Sequence, residues 1–174
     1  GSGTLSWATA SGGPTEYWTT LASDLNLSTS SGVQAAFSSG QDVVTLEAST
    51  YYRFEGEYYI TRSTNSVTTA MAFAVGGGGS VTHCRYVVDY RNAAEDAIGT
   101  TSGGFIGTNS STVIMASSSS GGYLRFSGIM LVGAGGTPTI TPQINFSGSV
   151  TSPVMKAGSF CMFRKLSAAA SGFA

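Results

Sequence analysis

Between residues 52 and 60 the chain alternates strictly. Tyr52, Phe54, Gly56, Tyr58 and Ile60 fall on one face of an extended strand, and Arg53, Glu55, Glu57 and Tyr59 on the other. Such a strand buries one face and wets the other. The device recurs: Leu124-Arg-Phe-Ser-Gly128 repeats the form of Tyr52-Arg-Phe-Glu-Gly56, and the chain closes with Phe163-Arg-Lys-Leu166. Thr69, Met71, Phe73 and Val75 alternate with Ala70, Ala72 and Ala74, and Cys84, Tyr86, Val88 and Tyr90 share a face in a run rich in β-branched and aromatic residues. Further strands are expected over 33–37, 43–46, 105–116, 123–132, 139–146 and 159–166, with a leading segment at 15–27. Phe54, Phe73, Tyr86, Phe126, Ile144, Phe160 and Met162 form the expected core.

Between these runs stand clusters of Gly, Ser and Thr. The four glycines at 76–79 read as a flexible spacer, and 117–122, 133–138 and 148–153 as loops. The 92–104 segment also reads as a loop, its weakly helical Ala93-Ala-Glu-Asp-Ala-Ile98 too short to stand alone and so a turn. Pro142 removes a ladder donor, which places its strand at a sheet edge or a bulge. The whole is an all-β chain of about eight or nine short antiparallel strands, the pattern of a jelly roll or β-sandwich. It divides into an N-terminal arm (1–16), a jelly-roll domain (17–166) and a C-terminal tail (167–174). An exposed edge invites pairing with another chain, and oligomerisation is one way to cover it.

Composition sharpens this picture. Only 10% of residues are charged, against about 25% in an ordinary soluble domain, so hydroxyls carry solubility. A hydrophobic content of 41% is too high for a disordered Ser/Gly linker. A net charge of −1 supplies no basic field for a phosphate backbone, so nucleic acid is not an expected partner. No run of 18 apolar residues occurs, and membrane insertion is not expected.

The candidate chemistry is sparse. His83 is the single histidine and has no second ligand at metal-binding spacing, so it reads as an ordinary strand residue. Glu55 and Glu57 share a strand face, and a solvated surface paired with arginines such as Arg125 suits them better than a catalytic carboxylate pair. Glu95 and Asp96 match no cation-loop spacing, and the 76–79 glycines lack the Lys-Ser/Thr of a phosphate loop. Sequons at Asn26, Asn109 and Asn145 arise by chance in a chain this rich in Ser and Thr. Cys84 and Cys161 lie inside apolar runs and read as buried free thiols, with a disulfide left open. No catalytic residue, metal or cofactor follows. What remains is surface: Tyr90, Arg91 and Tyr123, bordering the loops, are the candidate contacts for sugar or protein.

The order Tyr17-Trp-Thr-Thr-Leu-Ala-Ser-Asp-Leu25, Tyr52-Arg-Phe-Glu-Gly56, Arg85-Tyr-Val-Val88, Leu124-Arg-Phe-Ser-Gly128, Lys156-Ala-Gly-Ser159 and Phe163-Arg-Lys-Leu166 resembles β-rich domains of tailed-bacteriophage virion surface proteins. That resemblance implies a homotrimeric jelly roll, similar to the heads of TNF and C1q, without catalysis or cofactor. It implies a place on the virion surface beside other virion proteins. The expected role is a tail-fibre tip knob that binds a host polysaccharide or protein, with capsid decoration as the alternative and a carbohydrate-active enzyme domain as a distant one.

Overall fold

The computed structural model describes residues 15–63, 67–92, 98–107, 109–115 and 121–168. Among these the regular structure is entirely strand: β1 (Glu16–Thr20), β2 (Leu25–Asn26), β3 (Gly32–Ala35), β4 (Val44–Thr45), β5 (Thr50–Thr61), β6 (Thr69–Gly76), β7 (Val81–Asn92), β8 (Ile98–Gly107), β9 (Asn109–Met115), β10 (Gly121–Val132), β11 (Thr139–Phe146), β12 (Val154–Met155) and β13 (Phe160–Ala168). They form two antiparallel sheets. The larger runs β1-β13-β5-β10-β7-β8 with β12 and β2 appended, and the smaller runs β3-β11-β6-β9 with β4 appended to β11.

The pairing is nested. β1 pairs with β13, β3 and β4 with β11, β5 with β10, and β6 with β9, so outer strands enclose inner ones in sequence order. A long antiparallel hairpin wound in this way is a jelly roll. The β7–β8 hairpin is inserted between β6 and β9, and it extends the larger sheet beyond β10.

The repeated Arg-Phe-x-Gly now has a physical reason. In the β5–β10 ladder Phe54 stands opposite Gly128, and Phe126 opposite Gly56. Each ring lies over the other strand's glycine: a Cβ at Gly56 would come within 2.3 Å of Phe126 Cζ, and one at Gly128 within 2.7 Å of Phe54 Cζ. The holes let two rings share one layer of the core. Phe54 then joins the sheets, its ring centroid 5.2 Å from Phe73 of the smaller sheet and 5.8 Å from Phe163 of its own. The sites Phe54, Phe73, Tyr86, Phe126 and Ile144 are all buried, as their periodicity predicts.

Five expectations fail, each for a local reason. Phe160 and Met162 are part-exposed, while Cys161 and Phe163 are the buried residues of β13. Both faces of this stretch are apolar, so alternation does not define its phase. The register does, because Phe163 pairs with Phe54. The strand holding Pro142 is central, between β3 and β6. Ala36 N–H donates to Pro142 O at 3.0 Å, so the proline nitrogen faces the same side, where β3 has ended at Ala35 and β4 begins only at Val44. Its missing donor falls in a gap in the ladder. Residues 98–104, expected as loop, belong to β8, and the single strand expected over 105–116 is two strands in different sheets. The small residues of Gly99-Thr-Thr-Ser-Gly-Gly104 carry no hydrophobic alternation to reveal them. The 76–79 glycines are a packed turn: Gly79 N–H donates to Gly76 O, and Thr137 N–H to Gly77 O, tying the turn to the neighbouring loop. The 93–97 turn, with Glu95 and Asp96, and most of the 117–122 loop lie outside the described residues. The outermost strands run slightly past the expected domain limits, from Glu16 to Ala168.

Candidate functional site

The outer face of the larger sheet carries the side chains that alternation turned away from the core, and the register aligns them in rows. One row is Tyr59, Tyr123 and Arg91, because β10 lies between β5 and β7. The next is Phe160, Glu57, Arg125 and Asp89, and the next Trp18, Met162, Glu55, Ser127 and Val87. Aromatic, charged and aliphatic positions are thus juxtaposed across strands that are far apart in sequence.

In the first row the Tyr59 and Tyr123 rings lie 5.1 Å apart at 43°. Tyr59 Oη donates to Glu57 Oε2 at 3.2 Å, and the same carboxylate is 3.7 Å from Arg125 Nε. Desolvation and then Glu57 push the Tyr123 phenol up to about 12, and Tyr59 is raised for the same reasons. Both phenols are protonated donors at neutral pH, as any phenol is, and the shifts widen that margin. Beside this pair opens a cleft of about 300 Å³ bounded by Tyr59, Thr61, Arg91, Tyr123 and Lys156. Lys156 is placed there by backbone, since its N–H donates to Tyr59 O at 2.8 Å. Its ammonium pairs with Asp24, whose carboxyl is held below the usual range by that hydrogen bond and by one from Ala157 N–H at 2.9 Å.

In the second and third rows Glu55, Glu57 and Asp89 border a cleft of about 200 Å³ with Arg53 and Arg125. The glutamates are ion-paired, Glu57 with Arg125 and Glu55 with Arg53 at 3.7 Å, as the solvated-face reading anticipates. Among the described residues, no group of three or more His, Cys, Asp or Glu could hold a metal ion. His83 is a part-exposed strand residue whose ring lies 5.7 Å from that of Tyr51. Cys84 and Cys161 are buried and unbonded, and burial pushes the Cys84 thiol up to about 12 and Cys161 higher still.

Of the three candidate contact residues, Arg91 and Tyr123 are direct cross-strand neighbours on the outer face. Tyr90 alternates to the inner face, pairs with Leu124 and packs part-buried against the core. It reaches the site only at the rim of a smaller cleft shared with Asp89, Arg91 and Tyr123. Tyr59 and Lys156 complete the cleft. Alternation already put Tyr59 outside, but its adjacency to Tyr123 depends on a pairing between residues far apart in the chain.

No protein-family model matches the chain, and no curated protein sequence matches it. Several solved structures align with most of the chain at low identity. Murine APRIL aligns over 87% of this chain and 99% of its own, with TM-score 0.39 and 12% identity. TmCBM61, solved in complex with β-1,4-galactotriose, aligns over 84% and 88%, with TM-score 0.32 and 10% identity. Infectious bursal disease virus VP2 aligns over 91% of this chain and 43% of its own, with TM-score 0.29 and 11% identity.

Proposed function

We propose that this chain is a non-enzymatic structural domain of a tailed-bacteriophage virion, a homotrimeric knob at a fibre tip that binds a host surface polymer. The observation that carries the reading is the outer face of the larger sheet. Trp18, Val87 and Ile129 stand on it 45%, 46% and 47% exposed, interspersed with Arg53, Glu55 and Arg125. Val87 and Ile129 adjoin diagonally across β7 and β10 and offer apolar contact area to a partner, with Trp18 on the same face at the edge strand β1. Their charged neighbours are paired with each other, which supports packing against protein over acid–base chemistry on a substrate. Copies of the chain are the partners in the trimer, and other virion proteins anchor it.

Light scattering on the purified chain should return three times its 17.7 kDa mass. A monomer that persists at high concentration overturns the trimer. Gold-labelled antibody on intact particles should mark fibre tips, and the soluble protein should adhere to host cells. Label spread over the capsid, with no adhesion to cells, would replace the knob with the capsid-decoration reading.

A further inference from the structure

Resting on the receptor-binding reading, we infer that the cleft of Tyr59, Tyr123, Arg91 and Lys156 is a binding site for a neutral hexopyranose unit of a polysaccharide. The walls suit one. Two tyrosine rings 5.1 Å apart form a bent apolar platform, and the C–H face of a pyranose stacks on ring faces while its hydroxyls point outward. The platform is preorganised, since both rings rise from central strands of a six-strand ladder and Tyr59 Oη is held by Glu57. Hydroxyl partners stand at the margins: the Arg91 guanidinium offers five N–H donors and the Lys156 ammonium three, so a partner already held by either leaves donors for the sugar. The cleft, about 300 Å³, sits at the small end of ligand clefts, which run from about 300 to 1,000 Å³.

Charge selects neutral over acidic sugars. Lys156 is matched by Asp24, Arg125 by Glu57, and Asp89 stands two residues from Arg91 on the same face of β7 and lines the adjoining cleft with it. A uronate entering here meets a Lys156 ammonium already paired with Asp24, and Asp89 adds a like charge beside Arg91. It would lose hydration without gaining an unbalanced charge.

The test is a panel of neutral hexose oligosaccharides and their uronate counterparts, titrated against the full chain and followed by tyrosine fluorescence and by NMR shifts. Neutral members should bind, weakly and with little change between low and high salt, because no ion pair is formed. Tyr123→Ala and Tyr59→Ala should each weaken binding tenfold or more, whereas Val33→Ala, exposed on β3 of the smaller sheet, should leave binding within about twofold. If a tyrosine variant unfolds, Lys156→Ala and Arg91→Ala, whose side chains lie at the surface, should still weaken binding severalfold. Failure of every neutral sugar, preference for uronates with steep salt dependence, or binding indifferent to all four substitutions overturns the inference. Adhesion of the wild-type protein to host cells is measured separately. Adhesion that survives the four substitutions keeps the receptor-binding reading and removes this site from it, and absence of adhesion removes the reading itself.

Discussion

The phase of the last strand offers the most discriminating test of the fold. Phe160 and Phe163 are three residues apart in β13 and so face opposite sides of the sheet. Phe163 is fully buried, with its ring centroid 5.8 Å from Phe54 and 6.3 Å from Phe73 at the junction of the two sheets. Phe163→Ala should leave a cavity no neighbour can fill and cost about 3–5 kcal/mol. Phe160 lies part-exposed on the outer face opposite Glu57. Full burial of such a side chain is worth about 1.5–3 kcal/mol, so truncating it there should cost about 1. In a domain of this size each kcal/mol moves the melting temperature by about 2–4 °C, which predicts a fall of roughly 6–20 °C for Phe163→Ala and of only a few degrees for Phe160→Ala. Both variants should be melted at one protein concentration, because an oligomer's apparent stability depends on it. Urea titration should give the same order. A Phe160→Ala loss equal to or above that of Phe163→Ala would mean that β13 sits one residue out of register with β5, and the reasoning would fail.

Ellman titration of the native protein at neutral pH should find neither cysteine, and unfolding should release both, since both thiols are buried with raised pKa values; rapid native labelling would contradict their burial. Stability should fall at alkaline pH: the folded pKa of Tyr52, like that of Tyr123, is raised from 10.0 to about 12, so its contribution is complete below pH 10 and is lost as pH climbs through about 12. Tyrosinate absorbance that rises freely near pH 10 with unchanged melting would refute this. Gly77→Ala, where φ is +67° and a Cβ would lie 1.9 Å from Thr137 O, should cost more than Gly40→Ala, where φ is +86° but the space is open. Equal losses in urea would show that the 76–79 turn is free of its neighbour.

The sequence made strands visible wherever one face was apolar and the other polar, and failed where that contrast was missing. β5 was legible down to the face of each side chain and β10 through its Leu124-Arg-Phe-Ser-Gly128 motif, and the nested glycines at 56 and 128 explain why that motif is repeated. β8 is Gly, Ser and Thr over residues 99–104 and has no contrast to read there, and β13 has apolar residues on both faces, so only pairing with neighbours defines either. The same division runs through the site. Arg91 and Tyr123 were singled out in the sequence as individual loop-border residues, yet the cleft exists because β10 pairs on both sides and brings Tyr59 and Arg91 to the two flanks of Tyr123. Lys156 arrives by a backbone hydrogen bond from a loop, a contact that leaves no mark in composition or periodicity. In a β-sandwich, surface chemistry is therefore a property of rows that cross strands, while sequence is read along them. A substitution such as Tyr59→Ala should consequently act on Tyr123 and Arg91, although 64 and 32 positions separate it from them in the chain.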